Sequence, residues 1–350
     1  MILIMKNIFL MAFLLMIMVS SCRKIKTEQA FPEIKDQLET QQDVWTAERI
    51  EQIAKQKKDS IDRAKIDKPN EVDPNSLMNK KNILIAYVEV NNRAFKNVTC
   101  FLNDEGKPVI DLAWVFAPNI NINSGTKKAY ITYNKQVQGL INKGYIRYVQ
   151  SKGIKVGMTL LGNHDNAGFR NFKNLEEATD FAQHVAIEVR RLGLDAIDFD
   201  DEYSENPSWA NNESFVMVVS EIKRLLPDKF VHCYIFGGAS ASSYKGKRMG
   251  DVADAGASAF YPQTPSPGSA GFPIERLFPS TKPFSGGGYP EATLRSLMVQ
   301  GYKGIMMFDF NMFPNNYLDI LKGYVKGVKE QNVIEIPGCV DRRESDDVNL

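Results

Sequence analysis

The sequence contains few of the residues that usually bind transition metals. It has 3 histidines and 4 cysteines in 350 residues, and these are scattered, with no Cys-x-x-Cys or His-x-x-x-His pair. Zinc and iron sites are built from such clusters. We therefore expect no metal centre and no other cofactor.

An excess of charge of one sign is also missing. Lysine and arginine total 43 and aspartate and glutamate total 42, which leaves a formal net charge of +1. Proteins that bind nucleic acid usually carry a basic excess, so nucleic acid is not an expected partner. The hydrophobic share of 43% and the charged share of 24% are those of an ordinary globular domain. We expect the protein to be a monomer.

Long hydrophobic runs are confined to the N-terminus. An apolar run from Ile8 to Val19 follows Lys6, and it is short for a transmembrane helix but has the form of a signal peptide. The small residues that precede Cys22 resemble a bacterial lipobox, which predicts a signal peptide over 1–21 and a lipid anchor on Cys22. A plain secretory signal followed by an incidental cysteine is the alternative. The prediction places the protein in the bacterial cell envelope, on its periplasmic or its cell-surface face.

The segment 22–78 is highly charged and lacks an apolar stripe. A helix over 44–66 is conceivable, but its apolar residues are too sparse to bury much surface. We interpret 22–78 as a partly helical tether between the membrane and the rest of the chain.

From residue 79 to about 335, short apolar runs alternate with amphipathic stretches, and 336–350 reads as a polar tail. This alternation predicts a parallel sheet, either closed or open. The expected strands cover 83–90, 109–116, 154–161, 196–200, 230–236 and 255–261, with a weak seventh within 282–288 and an eighth over 304–310. The expected helices cover 134–151, 175–192, 213–226 and about 315–330.

One strand carries an unusual row of acids, in the stretch from Leu194 to Glu205. Asp198, Asp200 and Glu202 are two residues apart, so an extended strand projects them to the same side. Acids held close together raise one another's pKa, which suits a site that must keep a proton. A solvated strand end and a calcium loop are the alternatives, although a calcium loop would need a turn glycine that is absent here.

The same stretch resembles the Asp-x-x-Asp-x-Asp-x-Glu signature of glycoside hydrolase family 18, with Asp195, Asp198, Asp200 and Glu202 in register. The sequence around it is similar to the branch of endo-β-N-acetylglucosaminidase H. Further similarity covers most of 83–324, in the segments 86–92, 119–121, 126–130, 153–156, 161–164 and 167–169. The resemblance implies a (β/α)8 TIM barrel, with some helices on the side of strands 5 to 7 shortened or missing.

The resemblance also implies an activity, namely hydrolysis of the GlcNAc-β-1,4-GlcNAc core bond of high-mannose or hybrid N-glycans. In this family the substrate's own acetamido group attacks the anomeric carbon and gives an oxazolinium intermediate. Glu202 would be the general acid and base, Asp200 would orient the acetamido group, and Asp198 would share a proton with Asp200. A chitinase and a catalytically silent glycan-binding lipoprotein are the alternatives.

Further residues are predicted to contact the glycan because they lie at or after strand ends. Tyr261, which ends the expected sixth strand, would bind the acetamido carbonyl as a family tyrosine does. Asp195 interrupts the two-residue spacing and is expected to shape the strand entrance. Phe308 and Phe310 could offer a face to a sugar ring or pack in the core, and Cys233 is expected in the core, while the pairing of Cys100 and Cys339 stays open. The remaining candidate glycan ligands are Glu89, Asn119, Asn163 and His164.

Overall fold

The computed structural model describes residues 76, 77, 79–203 and 210–350. The predicted signal peptide, Cys22 and nearly all of the predicted tether lie outside these residues. Within the described part, no helix is both long enough and apolar enough to cross a membrane.

Eight parallel strands form the centre of the molecule. From the second strand to the seventh, each pairs with the one before it, and the first also pairs with the eighth. An isolated parallel bridge joins Ser280, just after the seventh strand, to Met306 of the eighth, so the sheet closes into the predicted barrel. The strands are β1 Ile83–Glu89, β2 Leu112–Phe116, β3 Lys155–Gly162, β4 Ala196–Asp200, β5 Phe230–Ile235, β6 Ala255–Ser258, β7 Leu277–Phe278 and β8 Gly304–Met307.

Helices alternate with these strands and cover the outside of the barrel. They are α1 Lys135–Asn142, α2 Tyr145–Ser151, α3 Leu175–Leu192, α4 Ser214–Leu225, α5 Gly237–Ala241, α6 Glu291–Gln300 and α7 Tyr317–Lys329. Short 3-10 helices cover Phe95–Thr99, Met249–Asp251, Ser269–Gly271, Ile274–Arg276 and Phe284–Gly286. Two small antiparallel pairs lie outside the barrel: Phe101–Leu102 with Ile334–Glu335, and Ser243–Tyr244 with Lys247–Arg248.

The barrel strands are apolar because both of their faces are covered. Side chains such as Tyr87, Trp114 and Phe278 fill the interior, while alternate residues pack against the helices. Leu77, which falls at the end of the predicted tether, is buried among the interior residues. Burial of one such large side chain contributes roughly 1.5–3 kcal/mol to stability.

Helix α3 shows how local sequence defines an element. The side chain of Asn174 caps its first turn by accepting a hydrogen bond from the backbone N–H of Glu177 at 3.0 Å. Phe181, Ala182 and Val185 are among the residues that form its buried stripe at helical spacing. Gly193 ends the helix in the left-handed conformation (φ 63°), which glycine adopts without steric cost.

Several predicted elements need correction. The helix expected over 134–151 is two helices, because Gly144 adopts a left-handed backbone conformation (φ 69°) that interrupts the helix. The seventh strand was predicted wrongly within 282–288; it lies at Leu277–Phe278, and Phe284–Gly286 is a 3-10 helix. The strand β7 has only two residues, too few for an alternation to be recognised in the sequence.

A β-hairpin that sequence reasoning did not predict follows β2. Its strands are Asn119–Ile122 and Ala129–Thr132, and the first also pairs with the end of β3. The side chain of Asn123 accepts hydrogen bonds from the backbone N–H groups of Gly125 and Thr126, which stabilises the turn. The alternation over 119–122 before an Asn-Ser-Gly turn was the available signal.

Helices on one side of the barrel are short, as predicted. Helix α5 has five residues, and only 3-10 turns lie between β6 and β7. Helix α6, after β7, has ten residues, so the shortening affects two of the three connections. The chain there is rich in Gly, Ser and Pro, which disfavour helix interiors.

The C-terminal segment is polar, but it is attached to the barrel. A disulfide joins Cys339 to Cys100, and Cys233 is a buried free thiol, as predicted for that cysteine. The side chain of Asn349 accepts a hydrogen bond from the backbone N–H of Phe95 at 3.0 Å and donates to the carbonyl of Val90 at 2.7 Å. These bonds hold 336–350 beside the chain that follows β1.

Candidate active site

A pocket of about 390 Å³ opens where the barrel strands end. Chemistry in parallel barrels is concentrated at the carboxyl ends of the strands, so this pocket is the candidate active site. It is lined by Glu89, Asn91, Phe116, Ala117, Asn119, Asn134, Leu161, Asp200, Glu202, Tyr203, Tyr234, Ala259, Tyr261 and Phe308.

The acidic row of β4 leads into this pocket. Asp198 is fully buried below it, Asp200 is the last residue of the strand and lines the pocket, and Glu202 lines it two residues later. The opposite face of β4 holds Phe199, which packs against Phe169 on the outside of the barrel. The predicted two-residue alternation is therefore confirmed.

Asp200 is placed where a carboxylate is unfavourable. It is 5% exposed, and burial raises the pKa of its carboxyl well above the usual range. The negative charges of Glu202, Asp198 and Asp201 raise this pKa further. Its Oδ1 atom has no hydrogen-bond partner among the described residues. A protonated Asp200 with an oxygen free to accept a hydrogen bond suits the role predicted for it.

Gly162, at the end of β3, makes room for Glu202. A Cβ atom on Gly162 would lie 1.9 Å from the backbone carbonyl oxygen of Glu202, which is far inside any allowed contact. The main chain that carries Glu202 therefore depends on a residue without a side chain at this position. Local sequence patterns carry no signal for this contact, because the two residues are 40 positions apart.

Asp198 is surrounded by hydrogen-bond donors. Its Oδ2 atom accepts hydrogen bonds from the hydroxyls of Thr159 at 2.7 Å and Tyr87 at 3.0 Å. Its Oδ1 atom lies 2.8 Å from Nδ1 of His232. Thr159, Asp198 and His232 are partners in the register of β3, β4 and β5, so their side chains lie next to one another.

Tyr261 lines the pocket as predicted, although β6 ends three residues before it. Its hydroxyl donates a hydrogen bond to the hydroxyl of Tyr234 at 2.9 Å. Its ring stacks on that of Phe308 with 5.0 Å between ring centres. Phe308 lines the pocket, whereas Phe310 is buried in the outer core, because β8 ends at Met307 and the alternation stops there.

Glu89 also lines the pocket, at the end of β1. Burial raises the pKa of its carboxyl to about 7, and the charge of Asp309 adds to the rise. Arg93 opposes this rise in the pKa of Glu89, and its Nε atom is 3.2 Å from Oδ2 of Asp309. Arg93 also pairs with Glu344 of the C-terminal segment. Glu89 therefore belongs to a network of charges that includes a cation.

The other predicted glycan ligands divide into two groups by position. Asn119 lines the pocket beside Glu89, and its amide donates hydrogen bonds to the carbonyls of Leu161 at 3.3 Å and Gly162 at 3.2 Å. Asn163 and His164 are not among the lining residues. The ring of His164 packs on Tyr203, which does line the pocket, at 4.4 Å between ring centres. They lie outside the pocket because β3 ends at Gly162 and the chain turns outward.

Asp195 has the structural position expected of it. It precedes β4, and its Oδ2 atom accepts hydrogen bonds from the backbone N–H of Val156 at 3.0 Å and from the amide of Gln150 at 2.7 Å. It therefore fixes the entrance of β4 beside β3 rather than the pocket.

Sequence reasoning missed several residues of the site. Asn91, Asn134 and Tyr203 line the pocket, and Tyr87, Thr159 and His232 support it from below. Tyr234 could have been found because it lies near the end of a predicted strand. The supporting residues could not, because their contacts depend on the register between strands. The described residues contain no group of three or more His, Cys, Asp or Glu side chains suited to a metal ion.

Similarity to known proteins agrees with this geometry. The chain is 36% identical over 200 residues to an endo-β-N-acetylglucosaminidase of Flavobacterium sp. (strain SK1022), a match that covers 55% of this chain and 63% of that protein. It is 30% identical over 260 residues to endo-β-N-acetylglucosaminidase F1 of Elizabethkingia meningoseptica, covering 68% of this chain and 74% of the relative. The chain belongs to the same family as these two endo-β-N-acetylglucosaminidases. This agrees with the similarity to endo-β-N-acetylglucosaminidase H that the sequence around the acidic signature indicated. No model of a protein family matches the sequence.

Solved structures show the same fold. The crystal structure of Bacteroides thetaiotaomicron EndoBT-3987 with a Man5GlcNAc product superposes with a TM-score of 0.64 and 24% identity, over 76% of this chain and 66% of that one. Its complex with a Man9GlcNAc2Asn substrate gives the same TM-score at 22% identity, over 76% and 72% of the two chains. These matches support the barrel fold of the family. The chain thus spans just under two thirds of the length of the first curated relative and of the first structure.

Proposed function

We propose that the protein is an endo-β-N-acetylglucosaminidase that hydrolyses the GlcNAc-β-1,4-GlcNAc core bond of N-linked glycans. The observation that carries the proposal is the arrangement at the end of β4. A buried Asp200 that favours its protonated form lines the same pocket as Glu202, in a chain of this family. A catalytically silent relative would be expected to lack one of these two acids.

We infer that the glycans are of the high-mannose type, with hybrid glycans as further substrates. The support is the fold shared with EndoBT-3987, whose structures hold Man5GlcNAc and Man9GlcNAc2Asn. The pocket has the composition that sugars require, because polar groups can bind hydroxyls and aromatic rings can pack on the apolar face of a pyranose. The polar lining residues include Glu89, Asn91, Asn119 and Asn134, and the aromatic ones include Phe116, Tyr261 and Phe308.

The first chemical step would use the substrate as its own nucleophile. Glu202 donates a proton to the glycosidic oxygen as the bond to the anomeric carbon breaks. The carbonyl oxygen of the 2-acetamido group attacks that carbon and forms an oxazolinium ion. Asp200 accepts a hydrogen bond from the acetamido N–H, which directs the carbonyl toward the anomeric carbon.

In the second step water opens the oxazolinium ring. Glu202, now a carboxylate, removes a proton from the water as the water oxygen bonds to the anomeric carbon. The acetamido group is regenerated, and Glu202 is again protonated for the next turnover. Retention of configuration at the anomeric carbon follows, because the carbon is attacked twice from opposite sides.

The test is incubation of the full chain with a high-mannose glycoprotein, followed by intact mass measurement. We expect the glycan to be released with one GlcNAc left on each asparagine. Glu202→Gln should abolish release but retain glycan binding, because it removes the proton donor while keeping the size of the side chain. Glu176→Gln, on the exposed first turn of α3, is the matched control and should cleave like the unaltered protein.

An unaltered protein that leaves the glycoprotein intact would contradict the proposal. Cleavage of N-acetylglucosamine oligomers instead would identify a chitinase, and glycan binding without any cleavage would identify a binding protein. Release that persists in Glu202→Gln would refute the role given to Glu202.

We propose further that the protein is a monomer attached to a bacterial envelope membrane through lipid on Cys22. The support is the sequence of residues 1–22, with a short apolar run followed by small residues and cysteine. A tether over 22–78 would let the barrel reach glycoproteins away from the membrane. Cell fractionation tests the anchor: the full chain should sediment with membranes and Cys22→Ala should not.

A further inference from the structure

His232 is a buried histidine that the steps above do not use. It lies on β5 directly beside Asp198, and both side chains are completely buried. Its Nδ1 atom is 2.8 Å from Oδ1 of Asp198, which is a hydrogen-bonding distance. A histidine that merely filled the core would have no reason to face a carboxyl of the catalytic signature.

The surroundings of the imidazole ring are apolar. The rings of Trp114, Phe230 and Phe278 lie 5.8–6.2 Å from it between ring centres. Its Nε2 atom is buried and has no hydrogen-bond partner among the described residues. A second N–H at Nε2 would therefore be a buried donor without an acceptor, which is costly. The geometry favours a ring with one N–H.

That single N–H belongs at Nδ1, facing Asp198. The other oxygen of Asp198 already accepts hydrogen bonds from the hydroxyls of Thr159 and Tyr87. A carboxyl group that accepts several hydrogen bonds is stabilised as an anion. Tyr87 and Asp198 are the titratable groups that face the ring, from β1 and β4. With Nδ1 as donor, Asp198 accepts three hydrogen bonds and needs no proton of its own.

We propose that His232 is a positioning residue whose Nδ1–H holds Asp198 as the anion, so that the proton of the Asp198–Asp200 pair stays on Asp200. The proposal rests on the proposed function, because it assigns the proton that the acetamido step requires. The raised pKa of Asp200, to which the charge of Asp198 contributes, agrees with it. Since Nε2 has no partner in the described part of the chain, His232 is not placed to pass a proton onward.

The first test needs no substrate. Nitrogen-15 NMR of the full chain distinguishes a protonated from an unprotonated imidazole nitrogen, and the sequence has only 3 histidines to assign. We expect Nδ1 of His232 to carry a proton and Nε2 to carry none. Protonation of both nitrogens, or of Nε2 alone, would overturn the proposal.

The second test compares two substitutions that are nearly equal in size and shape. His232→Asn retains an N–H close to the position of Nδ1, whereas His232→Leu removes it. His232→Leu leaves the anion of Asp198 with one hydrogen bond fewer, so we expect the acid limb of the kcat profile to move up by about one to two pH units. We expect kcat near neutral pH to fall about tenfold or more while KM changes little.

His232→Asn should keep the acid limb at the position of the unaltered protein. An unchanged profile in His232→Leu, or an equal shift in both variants, would overturn the proposal, provided that near-ultraviolet circular dichroism shows a native core. If the unaltered protein releases no glycan, the proposed function fails instead, and the NMR experiment still decides the state of His232.

Discussion

Two groups of carboxyls lie in or next to the pocket but differ in how their charge is balanced. The group on β4 comprises Asp198, Asp200 and Glu202, and the causes that shift the pKa of Asp200 all raise it. The second group comprises Glu89 and Asp309, and Arg93 lies beside it. Burial raises the pKa of both acids, whereas the positive charge of Arg93 lowers it.

The difference shows what each group is suited for. Acids without a compensating cation exchange protons readily, which is what general acid–base catalysis needs. Acids beside an arginine are held in position and are better suited to binding hydroxyl groups of a sugar. We therefore assign chemistry to the β4 group and recognition to Glu89.

The largest expected effect concerns Asp200. Asp200→Asn should lower kcat by on the order of 10²-fold or more, because the amide cannot hold and exchange the proton that the carboxyl carries. KM should change little, since the amide oxygen of asparagine can still accept the hydrogen bond from the acetamido N–H. Steady-state kinetics on a high-mannose glycopeptide measures both constants. If the kcat of Asp200→Asn stayed within a few fold of that of the unaltered protein, catalysis could not be assigned to the β4 group rather than to the second group.

The next effect concerns the glycine that supports Glu202. Gly162→Ala should lower kcat by roughly 10²-fold, because the new methyl group must displace the backbone of Glu202. Kinetics together with a crystal structure of the variant checks the cause.

Gly323→Ala is the matched control, since its Cβ would meet no atom within 4 Å in α7. We expect it to keep full activity and to gain up to about 1 kcal/mol of stability from helix propensity. Full activity in Gly162→Ala would show that Glu202 tolerates displacement.

The third effect is on the pH dependence of stability. The pKa of Glu89 is about 7 in the folded protein and 4.5 ordinarily, so the native state binds the extra proton between these values. This stabilisation is complete below about pH 4.5 and is lost as the pH rises through 7. Glu89→Gln should therefore lose less stability than the unaltered protein between pH 5 and pH 8, by about 1–3 kcal/mol.

Chemical denaturation at the two pH values measures this difference. Glu176→Gln, which is exposed on α3, should behave like the unaltered protein. The same Glu89→Gln variant should raise KM more than it lowers kcat. A loss of kcat as large as that of Asp200→Asn would show that Glu89 takes part in catalysis, and the two groups of acids would then not differ in function.

The smallest effect is expected outside the pocket. Asn163→Ala combined with His164→Asn should change KM by no more than about two- to threefold, because surface substitutions are usually mild. Asparagine is chosen at 164 because that residue has φ 52°, which asparagine tolerates. A tenfold rise in KM would show that the glycan extends beyond the pocket to these residues.

The features that could be predicted from the sequence are those that repeat locally. The alternation of strands and helices, the row of acids on one face of β4 and the caps of α3 all depend on neighbours within a few positions. For this reason local patterns, together with the family resemblance, were enough to predict the barrel and to locate Asp198, Asp200 and Glu202. Strand β7 was missed because its two residues are too few to show a periodic pattern. The break at Gly144 was missed because the backbone angle of a single glycine can end a helix.

The distant residues that surround the acids depend on how the whole barrel folds. Thr159 and His232 reach Asp198 because β3, β4 and β5 pair in one particular register, and a shift by one residue would turn each side chain to the other face. Gly162 and Glu202 meet because β3 and β4 end side by side, and Arg93 reaches Glu344 because the C-terminal segment folds back on the barrel. Such contacts are set by the packing of the whole barrel, which local sequence patterns do not record.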